Sequence, residues 1–210
     1  MASSKLFPQG LYVIVDPRFL PHGVDLLDYV SELAHARAPI IQLRMKDASA
    51  SQVLEVARRM IKIRRKHKFF FVVNDYPEIA KEVGADAVHV GKTDAAIRDA
   101  RAVVGPDMMI GFSSHSLSEA VAAAEKGADY VALGAIYPTA TKGPGHPVQG
   151  LETLRQVVAA VSKPVVAIGG INRTNAADVR ACGPAAIAMI TGISQAEDVA
   201  AEVRWYQSLR

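Results

Sequence analysis

Short, nearly continuous apolar segments alternate with longer amphipathic segments along the sequence, and this alternation restricts the fold more than any other feature. The apolar segments have the length and composition of strands that are buried on both faces, and they lie at residues 11–15, 40–44, 69–74, 87–90, 109–113, 130–133, 164–168 and 186–189. Between them, apolar residues recur at three- and four-residue spacing, which predicts amphipathic helices; examples are residues 24–34, 116–125, 151–161 and 196–207. Strands that alternate with helices are parallel and are joined by right-handed crossovers.

The number and spacing of these segments predict one (β/α)₈ (TIM) barrel. Eight strand–helix pairs fit within 210 residues, near the lower size limit of that fold. An open, doubly wound sheet is the alternative, and it would place a glycine-rich turn after its first strand. Here the first apolar segment runs into Asp16, Pro17 and Arg18 instead. We therefore expect a single α/β barrel domain over residues 1–210.

Composition and charge limit the partners that we expect. The formal net charge is +3, and the apolar runs are too short for a transmembrane helix. The densest basic stretch lacks the interleaved aromatic residues that stack nucleic-acid bases, so we predict a solvated helix face comprising Lys62, Arg64, Arg65, Lys66 and Lys68. The lone cysteine, Cys182, and the lack of a secretion signal predict a cytoplasmic protein. We expect small phosphorylated ligands, neither nucleic acid nor a membrane, and leave a homo-oligomer open.

Polar residues cluster at the carboxyl ends of the predicted strands, where barrels of this kind carry their chemistry. The second segment closes with Gln42, Arg44 and Lys46, which strand alternation points to one side, toward the barrel mouth. An amide and two cations on one face suit a phosphate or diphosphate, because arginine binds it through a planar fork and lysine through a point charge. The alternative is a surface lysine beside an arginine that is paired with a neighbouring carboxylate.

Two aspartates follow neighbouring strands and predict a metal site. Asp75 comes after the third strand and Asp94 after the fourth. Carboxylates with few soft ligands nearby favour Mg²⁺, which takes carboxylates, water and substrate phosphate oxygens. In isolation Asp94 is also a typical N-cap for the helix that follows it. The neighbouring Arg44, Lys46 and Asn74 favour the metal.

A second anion site is predicted after the seventh and eighth strands. Gly169 and Gly170 expose backbone N–H groups, and Ile190 and Thr191 add further N–H groups and a hydroxyl. Loops at these two positions form the recurrent phosphate pocket of the fold.

Two histidines lie close to these positions. For His89, at the end of the fourth strand, we predict a structural hydrogen bond rather than catalysis. His115 follows Ser113 above the predicted site. A serine–histidine hydrolase is not indicated, because no nucleophile elbow or obvious orienting acid accompanies the pair.

Taken in order, these strand-end residues resemble the thiamine phosphate synthase family. The resemblance runs roughly from residue 11 to residue 198 and depends on an ordered series of motifs: Gln-x-Arg-x-Lys at 42–46, Asn-Asp at 74–75, His-x-Gly-x-x-Asp at 89–94, Gly-x-Ser-x-His at 111–115, Thr-x-Thr-Lys at 139–142 and Gly-Gly-Ile at 169–171. It implies a transferase that condenses hydroxymethylpyrimidine diphosphate with thiazole phosphate, with Mg²⁺, and forms thiamine phosphate and diphosphate.

The resemblance also implies roles for individual residues. Catalytic roles fall to Arg44, Lys46, Ser113 and Lys142. The residues that would bind the pyrimidine diphosphate are Gln42, Arg44, Lys46, Asn74, Ser113 and Lys142. Those that would bind the thiazole phosphate are Thr139, Thr141, Gly170, Ile190 and Thr191. Leu43, Met45 and Ala140, which lie within the motifs, complete the substrate-binding set. Asp75 and Asp94 would hold Mg²⁺.

Two positions depart from the family pattern. Lys92 and Thr93 stand where the family usually has glutamine followed by an acidic residue, so an acid near the predicted metal is lost. Thr191 stands where serine is usual and keeps the hydroxyl.

Two other functions are weighed against the synthase. A related branch of the same barrel isomerises thiazole phosphate with a histidine as proton shuttle, and His115 matches that position. The intact motifs at residues 42–46 and 139–142 argue against this isomerase. A non-catalytic binder of phosphorylated thiamine precursors is the third hypothesis, and the complete set of charged residues argues against it.

Overall fold

Eight parallel strands close into a barrel in the computed structural model, which describes residues 6–91, 96–141 and 147–209. The strands follow one another around the barrel in chain order and are β1 Gly10–Val15, β2 Ile40–Leu43, β3 Phe70–Asn74, β4 Ala87–Val90, β5 Met109–Ser114, β6 Tyr130–Gly134, β7 Val165–Ile168 and β8 Ala186–Met189. Parallel pairing of β1 with β8 closes the ring. The (β/α)₈ barrel predicted from the alternation is confirmed.

The helices lie between the strands and cover the outside of the barrel. They are α1 Leu26–His35, α2 Ala50–Lys66, α3 Pro77–Val83, α4 Ile97–Val104, α5 Leu117–Glu125, α6 Gly150–Ala160, α7 Ala176–Ala181, α8 Thr191–Ser194 and α9 Val199–Ser208, and a short 3₁₀ turn, Pro17–Phe19, follows β1. In the part of the chain that the structure describes, no helix combines the length and the apolar character needed to cross a membrane.

The observed strands begin and end within one residue of the predicted bounds, whereas two helices begin two or three residues later than predicted. We expected helices from residues 24 and 196, but α1 begins at Leu26 and α9 at Val199. In both cases an aspartate side chain accepts hydrogen bonds from backbone N–H groups of the first turn: Asp25 caps α1, and Asp198 caps α9. Such caps fix where a helix starts.

Two apolar cores lie on opposite faces of the strands. Alternate residues of β1 show the division: Leu11, Val13 and Val15 pack against the helices, whereas Tyr12 and Ile14 point into the barrel. The interior cluster contains Phe7, Tyr12, Ile14, Ile40, Phe70, Val72, Ala87, Tyr130, Ala132, Val166, Ala186 and Ala188. The barrel is therefore filled by side chains toward the amino ends of its strands, and polar residues are left for the opposite end.

The side chain of Tyr130 extends across the barrel interior because the residue that pairs with it on the neighbouring strand is a glycine. The ring is completely buried and packs on Phe7 with a centroid separation of 4.6 Å. A Cβ atom on Gly111, which pairs with Tyr130 between β5 and β6, would lie 2.0 Å from Cζ of the ring. No side chain at position 111 can coexist with the ring in this position.

We expect Gly111→Ala to lower the free energy of unfolding by about 1–3 kcal/mol, because the added methyl group must displace a buried ring in a packed core. Gly192→Ala is the matched control: its methyl group would meet only the flexible end of Met189, with Cε at 2.3 Å. Urea unfolding of both variants measures the difference. Equal stability losses in the two variants would contradict the assigned role of Gly111.

Candidate active site

A cavity of about 350 Å³ opens at the carboxyl ends of the strands. This volume is in the range that small-molecule ligands occupy. Residues from every side of the barrel line it, among them Gln42, Arg44, Lys46, Asn74, Asp75, His89, Ser113, His115, Thr141 and Ile190. The residues predicted at the ends of β2, β3 and β5 thus lie around one space.

A second, smaller cavity of about 90 Å³ lies between the ends of β7 and β8. Its lining includes Thr139, Thr141, Gly169, Gly170, Ile190 and Thr191. Thr141, Ile168, Ala188 and Ile190 line both cavities. The two spaces therefore adjoin along a common wall.

The three polar residues of the Gln-x-Arg-x-Lys motif each have a partner. Gln42 is buried at the end of β2, and its Nε2 donates a hydrogen bond of 3.1 Å to Tyr12. Arg44 forms an ion pair with Asp16, and Lys46 forms one with Asp75. The alternative considered for the arginine, a neighbouring carboxylate partner, is what the structure contains. Because Arg44 and Lys46 themselves line the cavity, pairing holds the two cations there.

Asp16 anchors the arginines at this edge of the mouth. Its side chain is fully buried and accepts hydrogen bonds from the Arg18 backbone N–H at 3.1 Å and from Arg18 Nε at 3.0 Å and Nη2 at 2.7 Å, in addition to the contact with Arg44. Burial alone would raise the pKa of the Asp16 carboxyl, but the hydrogen bonds from Arg18 and Arg44 outweigh burial and hold the pKa below its usual value. The carboxylate is therefore charged at neutral pH and holds Arg44 at the cavity.

Three predicted contact residues have side chains that do not line either cavity. Leu43 is completely buried in the core between strands and helices, and Met45 packs against that same core. Ala140 is exposed. For Leu43 and Met45 the reason is strand alternation, which turns them away from the face that Gln42 and Arg44 occupy. These three side chains thus line neither cavity, and substrate binding by these residues stays a prediction from the sequence.

The structure describes only some of the residues of the predicted metal site. Asp75 lies directly after β3 in the left-handed region, with φ of 69°, and its backbone N–H donates to the carbonyl of His89 at 2.9 Å. Asn74 beside it is buried and also lines the cavity. Among the described residues no group of three His, Cys, Asp or Glu side chains converges on one point. Asp94, like Lys142, lies outside those residues, and Ala96 occupies the N-cap of α4.

Ser113 and the two histidines occupy one side of the cavity. His89 accepts or donates at both ring nitrogens: Nδ1 lies 3.1 Å from the hydroxyl of Tyr130, and Nε2 lies 2.9 Å from Oγ of Ser113. The structure thus gives His89 the hydrogen bonds expected of a structural residue. His115 donates from Nδ1 to the carbonyl of Gly134 at 2.7 Å.

The backbone of the second cavity requires glycine. Gly169 and Gly170 have φ of 99° and 68°, in the left-handed region that side chains disfavour. A Cβ atom on Gly170 would lie 2.5 Å from the carbonyl oxygen of Pro138. Across the cavity, Thr139 donates through Oγ1 to Thr141 at 3.1 Å. The loops after β6, β7 and β8 are therefore closely packed around this space.

A larger groove, of about 880 Å³, lies at the opposite end of the barrel. It is lined in part by the basic stretch at the end of α2. Arg64 is engaged there with the Phe69 carbonyl at 3.1 Å and with Asp86 at 2.7 Å. The groove lies at the amino ends of the strands, the end of this fold that does not carry the chemistry.

Three residues of the site were not identified from the sequence: Asp16, Tyr12 and Tyr130. Asp16 follows β1 directly, in the same position that Asp75 has after β3. Tyr12 and Tyr130 are polar groups at inward-pointing positions of otherwise apolar strands. A hydroxyl group at an inward-pointing strand position is the sequence signal that would have identified the two tyrosines.

Comparison with known proteins gives consistent matches. The profile of the family described as thiamine monophosphate synthase matches residues 11–193. A thiamine-phosphate synthase of Shouchella clausii is 41% identical over 194 residues, which cover 92% of each chain. One of Gloeobacter violaceus is 37% identical over 203 residues, and the match spans 97% of this chain but 58% of that longer relative. The solved structure of thiamine phosphate pyrophosphorylase from Pyrococcus furiosus has a TM-score of 0.84 at 38% identity, covering 94% of this chain and 95% of that one.

We expect Asp16→Asn to lower the free energy of unfolding at neutral pH by about 1–3 kcal/mol, because an amide cannot replace a charged acceptor for two guanidinium groups. The pKa of Asp16 is lower in the folded protein than in the unfolded chain. The stability difference between wild type and variant is therefore complete above about pH 3.9, the ordinary aspartate value. It shrinks as the pH falls below that value toward the folded pKa.

Urea unfolding of both proteins along a series of acidic pH values measures this difference. Asp47→Asn is the control, because that exposed carboxylate lies 3.6 Å from Arg18 and should change stability by less than about 0.5 kcal/mol. A stability difference for Asp16→Asn that does not depend on pH would show that the charge of Asp16 is not responsible.

Proposed function

This chain belongs to the thiamine monophosphate synthase family, and we propose that it condenses hydroxymethylpyrimidine diphosphate with thiazole phosphate in the two adjoining cavities. The family assignment made from the ordered motifs is confirmed by the profile match and by relatives at about 40% identity. The isomerase is not favoured, because these relatives are thiamine-phosphate synthases. The observation that carries the proposed placement is the common wall between a cation-lined cavity and one built from glycine backbone.

The larger cavity suits the pyrimidine diphosphate. Arg44 and Lys46 lie at its wall with a buried amide, Gln42, beneath them. A guanidinium carries five N–H donors, and the contact with Asp16 through Nη1 uses one part of that fork. We propose that the other part binds the diphosphate and that Lys142, the residue after Thr141 in the sequence, adds a further positive charge.

The residues around Asp75 fit a magnesium ion. Asp75 and Asn74 offer carboxylate and amide oxygens at one edge of the cavity, and oxygen is the ligand atom that Mg²⁺ takes. We propose that Asp75 and Asp94 hold the ion. When bound, Mg²⁺ neutralises negative charge on the diphosphate. Lys46, which pairs with Asp75, is close enough to that edge to exchange this partner for a phosphate oxygen.

Stabilisation of the leaving group is the chemical task of the site. The bond between the pyrimidine methylene carbon and the diphosphate oxygen breaks, and the diphosphate leaves with the electron pair. Arg44, Lys46 and Lys142 are the cations that would stabilise the charge that grows on it. The thiazole nitrogen then donates its electron pair to the methylene carbon and forms the new C–N bond. The protein needs no nucleophile, since the aminopyrimidine stabilises its own cation.

The smaller cavity suits the phosphate of the second substrate. Gly170 presents its backbone N–H in a conformation that brings the chain close to a ligand, and Thr191 adds a hydroxyl at the start of α8. We propose that Gly170, Ile190 and Thr191 bind the phosphate, with Thr139 and Thr141 beside the thiazole ring. Anchoring the phosphate holds the ring nitrogen next to the reacting carbon. The bimolecular reaction then becomes effectively unimolecular.

We also propose a cytoplasmic location and small phosphorylated substrates as the partners. The buried thiol of Cys182, which forms no disulfide, is consistent with that location. The single domain over residues 1–210 and a homo-oligomer stay predictions from the sequence.

The direct test is product formation by the purified protein from the two substrates, with Mg²⁺ or with EDTA. We expect thiamine phosphate and diphosphate in equal amounts with Mg²⁺ and none with EDTA. Isomerisation of thiazole phosphate without the pyrimidine substrate would contradict the proposed reaction. Product at the same rate in EDTA would contradict the metal but leave the condensation in place.

We expect Asp75→Asn to raise the Mg²⁺ concentration needed for half-maximal rate by about tenfold or more, since even residues that only support a metal ligand contribute that much to affinity. Asparagine tolerates the left-handed backbone at this position, so the fold should be preserved. The control is Asp47→Asn, which removes a charge from an exposed carboxylate outside both cavities. An unchanged Mg²⁺ dependence in Asp75→Asn would exclude Asp75 as a ligand.

A further inference from the structure

A continuous row of hydrogen bonds crosses the barrel interior from β2 to β5. Gln42 Nε2 donates to the hydroxyl of Tyr12 at 3.1 Å, and the hydroxyls of Tyr12 and Tyr130 lie 3.0 Å apart. The Tyr130 hydroxyl lies 3.1 Å from Nδ1 of His89, and Nε2 of His89 lies 2.9 Å from Oγ of Ser113. The row thus joins a residue of the predicted diphosphate site to the residue predicted to contact the pyrimidine.

The direction of these hydrogen bonds is set at the Gln42 end. An amide nitrogen only donates, so the Tyr12 oxygen accepts there and its own hydrogen must find another acceptor. In the described part of the chain the neighbouring acceptor is the Tyr130 oxygen. If Tyr130 donated to Tyr12 instead, the Tyr12 hydrogen would be buried without an acceptor, which costs about 1–3 kcal/mol.

The same direction continues to the cavity. Tyr130 has one hydrogen, and with its oxygen accepting from Tyr12 it donates to Nδ1 of His89. A neutral histidine that accepts at Nδ1 carries its proton on Nε2, so His89 donates to the oxygen of Ser113. The hydrogen of the Ser113 hydroxyl is then directed to a ligand. With the opposite tautomer Ser113 would donate to His89 and offer a ligand only lone pairs.

Both tyrosines remain protonated donors throughout the pH range of a folded protein. Burial raises the pKa of Tyr12 well above its usual value, and the charge and hydrogen bond of Tyr130 add to the increase. Burial also raises the pKa of Tyr130, with a smaller opposing effect from its hydrogen bond with Tyr12. Neither phenol therefore becomes a phenolate, which would reverse the direction of the hydrogen bonds in the row.

We propose that Tyr130 is a positioning residue, which fixes His89 as the Nε2–H tautomer and thereby makes Ser113 a hydrogen-bond donor to the substrate. The ligand atom that this arrangement selects is an acceptor, such as an unprotonated ring nitrogen of an aminopyrimidine. This inference deepens the proposed function and, for the identity of the ligand, rests on it. Tyr130 is completely buried and does not line the cavity, so its hydroxyl influences Ser113 through His89.

The tautomer is measured by ¹⁵N NMR of the histidine rings in the protein without substrates. We expect His89 of the wild type to show a protonated Nε2 and an unprotonated, hydrogen-bonded Nδ1. Tyr130→Phe keeps the ring beside Gly111 but removes the donor to Nδ1, so the two tautomers should become mixed. Tyr12→Phe is the matched control: it removes the other buried hydroxyl but leaves Nδ1 of His89 as an acceptor for the Tyr130 hydrogen. That hydrogen would otherwise be buried without an acceptor, so the Nε2–H tautomer should be kept.

Substrate kinetics supply the second measurement. We expect Tyr130→Phe to raise KM for the pyrimidine diphosphate by about three- to tenfold, the effect of one hydrogen bond, with KM for thiazole phosphate unchanged. Ser113→Ala should raise the same KM, and the double variant should be no worse than Ser113→Ala alone, because Tyr130 acts through Ser113.

A wild-type spectrum with the proton on Nδ1, or on both nitrogens, would overturn the inference, and so would a Tyr130→Phe spectrum identical to that of the wild type. Independent, additive effects of Tyr130→Phe and Ser113→Ala on KM would do the same. The spectrum of the wild type decides the tautomer even if Tyr130→Phe fails to fold. The same spectrum decides the tautomer even if the protein makes no thiamine phosphate. A wrong proposed function is therefore distinguished from a wrong tautomer assignment.

Discussion

The parallel pairing of β1 with β8 is the interaction on which the rest of the structure depends. It aligns Tyr12 with Ala188 and Val13 with Met189, and it leaves the sheet without an exposed edge. Because all strands run in one direction, closure also brings the residues that follow them to one rim. Arg44 after β2, Asp75 after β3 and Ile190 after β8 are far apart in sequence, yet they line the same cavity. Without this last row of hydrogen bonds, Tyr12 of β1 and Ala188 of β8 would not lie side by side in the wall of the larger cavity.

The interior of the barrel changes character along its axis. Toward the amino ends of the strands it is filled by aromatic and aliphatic side chains, whereas toward the carboxyl ends it contains amide, imidazole and hydroxyl groups. Buried polar groups are tolerated only when they are hydrogen-bonded. Here Tyr12 and Tyr130 lie at the boundary, with their rings in the apolar part and their hydroxyls joined to Gln42 and His89. They connect the apolar interior of the barrel to the polar end that lines the larger cavity.

The sequence predicted the fold and much of the cavity, but not how the polar groups are paired. Periodicity located the strands because burial on both faces leaves a continuous apolar run, and alternation correctly directed Gln42 and Arg44 to the mouth. The same alternation turns the side chains of Leu43 and Met45 toward the core between strands and helices, although both residues belong to the predicted substrate-binding set. The pairing of Arg44 with Asp16 and of Tyr12 with Tyr130 joins residues that are 28 and 118 positions apart. Such contacts depend on barrel closure and on the space at Gly111, and no local pattern contains them.

The common wall of the two cavities has a consequence for inhibition. A molecule that fills both spaces loses its translational and rotational freedom only once, whereas two separate ligands each lose theirs. Its second half binds at an effective concentration that a short linker sets in the millimolar range. Thiamine phosphate, which joins the two halves by a covalent bond, has this form. With the substrates placed as proposed, residues such as Thr141 and Ile190, which border both spaces, would contact both halves of the product. A stable bisubstrate analogue with a short linker is accordingly the ligand class best matched to this barrel.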